Sequence, residues 1–303
     1  MLEEEGTVTS IAVQVGGFFS DLMYLVIVLL PALYWCVDPG LGLRAMLLTL
    51  VSGGLNSGLK VLFHVPRLSW GSALTGIGSG EPSYAFPSGH AEQTATAVGW
   101  LACKTRTLPA FAAAGVLILT VGTGRVLVGA HTPGQAVAGI LAGLALVVVL
   151  LVVDRPLTGW LGDLTMGRQM LVATGVSLLL LALYPVSLAA GGLWPAPGSL
   201  FLSLTGPLDP SAHLIRTGLF FGIATGAVLT ARHQGFPPAP TTRGKVSRYL
   251  GGITGLLLIG LFFLALAGLA IPPLSWVLVS LGAVIGGWWI TAVVPAICRH
   301  RTG

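Results

Sequence analysis

Charge is what this sequence has least of. Of 303 residues, 15 are Lys or Arg and 10 are Asp or Glu, so charged residues make up 8% of the chain, where a soluble domain carries about 25%. A chain so poor in polar groups cannot cover a water-facing surface, which excludes a soluble enzyme, a disordered protein and a nucleic-acid binder. Cysteine is nearly absent too. Cys36, Cys103 and Cys298 are scattered, with no metal or redox spacing, and each is expected as a small buried hydrophobe. Residues 1–20 lack a basic n-region and open with Glu3, Glu4 and Glu5, so no cleavable signal peptide is expected. What fills the chain instead is apolar: 54% hydrophobic residues, 43 glycines and a mean hydropathy of +0.89. The fold class that follows is all-α, a polytopic transmembrane bundle.

A span needs about 20 mostly apolar residues. Nine stretches qualify, near 22–37, 41–63, 89–104, 108–128, 132–153, 169–190, 213–231, 249–271 and 274–298. Their small residues suit close helix approach. Nine spans put the two ends on opposite sides. One side then receives Arg44, Lys104, Arg106, Arg155, Arg168, Arg232, Arg243, Lys245, Arg248, Arg299 and Arg301. The other receives Glu3, Glu4, Glu5 and Asp21, with only Lys60, Arg67, Arg125 and Arg216 as cations. The positive-inside rule makes the first side cytoplasmic and the second external, with the N-terminus outside. In a membrane protein the +5 net charge speaks to this orientation rather than to an anionic partner.

The four cations on the outer side are functional candidates, and three of them sit beside histidines. One segment runs Lys60-Val-Leu-Phe-His-Val-Pro-Arg67, a second is Pro87-Ser88-Gly89-His90, and a third runs from Arg125 through His131-Thr-Pro-Gly-Gln135. Ser88 and Thr132 can each cap the helix that follows, and Pro133 suits a first helical position. Helix N-termini offer free N–H groups and the positive end of the dipole to an anion such as phosphate. Lys60, Arg67, Arg125 and the amides near Ser88 to His90 supply positioning and charge neutralisation for phosphoryl transfer. One histidine can attack phosphorus while the other protonates the departing oxygen. No acidic cluster lies near these segments, so neither a metal nor another cofactor is expected.

These segments resemble the three motifs of the type 2 phosphatidic acid phosphatase superfamily: Lys-x6-Arg-Pro, Pro-Ser-Gly-His and Ser-Arg-x5-His-x3-Asp. The resemblance implies a six-span phosphatase core with three further spans after it; residues 1–155 are expected to hold the catalytic motifs of that core and 156–303 to form a transmembrane extension packed on it. It implies His131 as nucleophile and His90 as general acid, with Lys60, Arg67, Ser88, Gly89 and Arg125 holding phosphate. Three positions depart from the pattern. Leu68 stands for the Pro, Gly124 for the Ser, and Gln135 for the Asp that orients the nucleophile. The Gln135 carbonyl can still accept from the imidazole and fix its tautomer, without the negative charge. Glucose-6-phosphatases carry a similar His-x-Pro-x-Gln pattern and also have nine spans.

The expectation is therefore an integral membrane phosphatase acting on a lipid phosphate or diphosphate, undecaprenyl diphosphate foremost, with its partners the lipid substrate and the bilayer. A soluble sugar phosphate is the rival substrate, and a non-catalytic lipid-phosphate binder or transporter is the rival class. The sequence leaves the oligomeric state open. His64 is expected to be structural; Glu92 either lines the site or pairs with a cation. Arg216 is an interfacial anchor or a headgroup contact. His213, His233 and His300 are expected in loops, Tyr84 and Phe86 at the entrance, and the apolar 191–212 loop beside the site. Trp288 and Trp289 are core or belt aromatics. Asn56, the sole asparagine, lies in no glycosylation sequon, and no ER-retrieval ending is present; both favour a prokaryotic plasma membrane.

Overall fold

The computed structural model describes residues 17, 28–67, 81–193, 206–232, 236 and 241–300. Among these residues, regular secondary structure is entirely helical. Residues 28–36 are helical (α1). The chain continues with α2 (Pro39–Phe63), α3 (Gly89–Thr105), α4 (Leu108–Leu127), α5 (Pro133–Asp163), α6 (Met166–Ala190), α7 (Ser211–Arg232), α8 (Thr242–Gly268) and α9 (Leu274–Trp288). A π-helical turn, Trp289–Val293, joins α9 to α10 (Val294–His300).

Among the described residues, seven stretches are long and apolar enough to cross a membrane: α2, α4, α5, α6, Gly206–Ala231, α8 and Leu274–Arg299. They correspond to seven of the nine expected spans. Of the other two, 22–37 lies partly outside the described residues. The 89–104 stretch does form a helix, α3, but one of 17 residues with Glu92, Gln93, Thr94 and Thr96 all buried. The reason is its position. It packs on α2, α4 and α5, so its neighbours are protein and it needs no apolar exterior.

Burial separates central helices from peripheral ones. In α2, 56% of the apolar window is buried, against 11% in α8. Outward-facing Leu141, Leu144, Val148, Val149 and Val152 on α5 form the apolar surface that a bilayer requires. The expected division at 155/156 falls inside α5, which runs on to Asp163. The later helices pack directly on the earlier ones, α6 and α7 on α2, and one core cluster draws on Trp35, Met46, Trp100, Ile223 and Ile290.

Two features position the site. A Cβ at Gly139 would stand 2.4 Å from the Ser88 carbonyl oxygen, and one at Gly143 would stand 2.3 Å from that of Glu92. This small-xxx-small pair lets α5 lie against the backbone of α3 and the turn preceding it. At the opposite end, Asp154 bridges Arg44 at 2.9 Å and Lys104 at 2.6 Å, tying together α2, α3 and α5. Two histidines expected in loops prove helical. His213 sits in the first turn of α7, buried against Tyr184 with ring centroids 5.3 Å apart, and His300 ends α10. His233, Leu68 and most of the 191–212 loop lie outside the described residues.

Candidate active site

The three motifs meet at one end of the bundle, at the termini of four helices. Lys60 lies in the last turn of α2, which stops at His64 in the left-handed conformation, φ 38°. His90 opens α3, and Arg125 lies in the last turn of α4. His131 precedes Thr132, the N-cap of α5. Backbone bonds weld the pieces together: Ala85 N donates to Val65 O at 2.9 Å, Ser88 N to Gln135 O at 3.1 Å, and His131 N to Arg125 O at 3.2 Å.

Arg67 is fully buried and fixed on two sides, donating from Nε to Ser83 O at 2.6 Å and from Nη1 to Ala130 O at 2.7 Å. Its remaining arm, Nη2, pairs with Glu81 Oε2 at 2.7 Å, and Arg125 Nη2 pairs with the other oxygen of the same carboxylate. One carboxylate thus spans guanidinium groups from two motifs, the charge-assisted geometry that a phosphate also satisfies. Burial alone would raise the Glu81 carboxyl, but Arg125 and then Arg67, His90 and Lys60 hold it down to about 2. Lys60 Nζ donates to Ser83 Oγ at 2.9 Å.

His131 is buried, and burial together with Arg67, Lys60 and Arg125 lowers its imidazole to about 3, with Glu81 opposing. It is therefore neutral at ordinary pH, the state a nucleophile requires. His90 is less enclosed and lies within electrostatic reach of Arg125, Glu81, Lys60 and Arg216.

Of two expected hydrogen bonds, one is replaced and one is not made. The sequence reading had Gln135 accept from the His131 imidazole; instead its Oε1 accepts from Thr132 N at 2.9 Å, while Thr132 Oγ1 accepts from Gln135 N at 3.3 Å. A capping box outcompetes the contact to the ring because it satisfies two helix-end amides at once. The buried His131 Nδ1 has no hydrogen-bond partner. Ser88 occupies the N-cap position of α3 but makes no side-chain cap, and its buried Oγ is also without a partner. Buried orphan polar atoms call for an explanation, and a phosphate oxygen beside Ser88 would supply one. Gly89, the first residue of α3, lines the adjoining cavity.

Several positioning residues escaped the sequence reading. Asn56 donates from Nδ2 to Pro87 O at 3.3 Å and to Glu92 Oε2 at 2.7 Å, and Ser52 donates to Glu92 Oε1 at 3.0 Å. Glu92 therefore neither lines the phosphate site nor pairs with a cation; it ties α3 to α2 and, through Asn56, steadies the Pro87-Ser88 turn. The signal was present, because Ser52, Asn56 and Lys60 repeat every four residues along one face of α2. Glu81 carried no motif. Arg216 of α7 donates from Nη1 to Ser57 Oγ at 2.8 Å, and its chain crosses α2 where Gly53 leaves room: a Cβ there would lie 2.6 Å from Arg216 Cδ. His64 packs edge-on to Tyr84, and Phe86 edge-on to Phe63.

A cavity of about 630 Å³ adjoins the site, with Lys60, Glu81, Ser83, His90, Gln93 and Arg216 in its polar lining. Among the described residues, no three His, Cys, Asp or Glu side chains cluster as metal ligands. What converges here is cations and imidazoles, a set suited to an anion.

The PAP2 superfamily model matches residues 41–158. No curated protein and no solved structure matches the chain.

Proposed function

We propose that this chain, a multi-pass membrane protein with a PAP2 superfamily domain over residues 41–158, hydrolyses a lipid phosphate or diphosphate on the outer face of the membrane. PAP2 phosphatases are in general metal-independent hydrolases of the membrane. One observation carries the reading: Arg67 and Arg125 hold a single carboxylate between them beside two histidines. A substrate phosphate takes the place of the Glu81 carboxylate, with Lys60, Ser88 and Gly89 completing its cradle. Neutral His131 attacks phosphorus; the P–O bond breaks as the P–N bond forms, and His90 gives its proton to the departing oxygen. The incoming phosphate adds negative charge beside His90 and so favours its protonated form. Water then releases phosphate from His131, with His90 taking the proton back.

The nine apolar stretches of the sequence support nine spans, and the distribution of basic residues supports an external site. Undecaprenyl diphosphate is the favoured substrate, since the site lies at membrane helix ends and opens into a cavity among apolar helices. The His131-x-Pro133-x-Gln135 pattern supports a second reading, a water-soluble sugar phosphate. Phosphate release by the purified protein from polyprenyl diphosphates, phosphatidic acid and sugar phosphates is the test. Preferential turnover of the lipids bears the proposal out, turnover of sugar phosphates alone replaces it with the second reading, and inertness towards all three classes makes the chain a binder.

A further inference from the structure

The cavity beside the phosphate site continues well beyond the polar groups. On α2 its lining runs from Lys60 to Met46, fourteen residues apart, which is about 21 Å of helix rise and most of the ~30 Å hydrocarbon thickness of a bilayer. Away from Lys60, His90 and Arg216 its walls are apolar but for Thr49: Leu50 on α2, Ile223 on α7, Leu256 and Phe263 on α8, and Val279 on α9. Its volume, about 630 Å³, is that of a ligand site. A phosphate headgroup needs only the polar end, and the long apolar remainder is made largely by helices after the PAP2 segment.

We propose that α7, α8 and α9 form the binding site for one hydrocarbon chain of the substrate, with Arg216 at the neck where that chain meets its phosphate. The inference rests on the lipid-phosphate reading given above. The occupant follows from continuity: one cavity has cations at one end and, apart from Thr49, apolar walls along its depth, the polarity of a lipid phosphate. The three C-terminal spans thereby become the part of the protein that measures the tail.

Gly260 on α8 is the place to test this. It lines the cavity, and a Cβ built there meets nothing within 4 Å, so the root of a larger side chain is accommodated at this wall. The N-terminal half of α8 packs on Trp35, at the end of the bundle away from the phosphate site. Gly260, eight residues before the other end of α8, is thus about 12 Å along the helix from the phosphate side, out of reach of a short tail. The measurement is kcat/KM for a series of straight-chain alkyl phosphates from four to sixteen carbons, in wild type, Gly260→Leu and Gly260→Trp.

Wild type should gain with each added methylene, by up to about fourfold where the methylene is fully buried. In Gly260→Trp the gain should stop early, leaving the longest substrate about tenfold or more behind wild type, with Gly260→Leu between. The four-carbon phosphate should react equally in all three, which also shows that the variants fold. Long chains handled equally by wild type and Gly260→Trp would overturn the inference and leave the lipid reading standing, the tail then lying elsewhere. Wild-type rates independent of chain length overturn it as well. Turnover of sugar phosphates with none of any alkyl phosphate would remove the lipid reading itself.

Discussion

A carboxylate gripped by Arg67 and Arg125 competes with any phosphate that needs the same two guanidinium groups. Glu81→Gln keeps the shape and removes the charge, so the vanadate inhibition constant should fall about tenfold, the equivalent of ~1.4 kcal/mol. An unchanged or higher constant means that Glu81 is a support rather than a competitor. Its titration has a signature in stability. The folded-state value lies near 2 against 4.5 for the free group, so the unfolded chain binds the proton more readily. Its contribution is present above about pH 4.5 and is lost as pH falls towards 2. Melting temperatures in detergent should drop less for Glu81→Gln than for wild type across that window.

Gln135 illustrates what residue-level reading can and cannot deliver. Its position beside His131 was legible from the motif spacing, but its partner was not, because the competing donor is a backbone amide created only when α5 starts. Gln135→Ala should lose the capping box and cost about 0.5–2 kcal/mol of stability, whereas Gln135→Glu preserves the pairing and should melt like wild type. A thermal-shift comparison decides. Glu81 was not legible at all, since an isolated acid in a loop has no periodicity or motif to mark it.

At the scale of elements, long apolar runs were easy to read: seven of the nine expected spans are helices of membrane-crossing length. Helix α3 was counted among the nine apolar stretches although Glu92, Gln93, Thr94 and Thr96 lie in it; that these are tolerated follows from its being surrounded by protein, a fact about its neighbours. The contact between α3 and α5 is likewise tertiary. Gly139→Ala puts a methyl group against the Ser88 carbonyl, where backbone cannot yield cheaply. It should destabilise the protein by about 1–3 kcal/mol and displace the Ser88 turn, lowering phosphate release at saturating substrate. Normal melting and turnover in this variant would show that α5 can move away without cost.

Across the whole molecule, polar chemistry is divided between two ends. Arg44, Lys104 and Asp154 gather at one, and the motif residues gather at the other. Alternation of spans and the excess of basic residues foretold this division without any knowledge of contacts. With the natural cysteines replaced, a cysteine at Asp209 should react with an impermeant thiol reagent in intact cells, and one at Arg243 should not. The reverse pattern would turn the site inward. What the sequence could not supply was the joining of α7–α9 to the site, because Arg216 crosses α2 at Gly53 and bonds Ser57, on a helix more than 150 residues earlier.

The central claim is that His131 carries the phosphoryl group, and trapping the labelled phosphoenzyme tests it most directly. Wild-type protein, quenched during turnover of a labelled phosphate with a good leaving group, should retain acid-labile, base-stable label of the kind expected for a P–N bond. His90→Ala should still label, since such a leaving group needs little protonation, and His131→Ala should not label at all. Label retained in His131→Ala at the wild-type level would contradict the account.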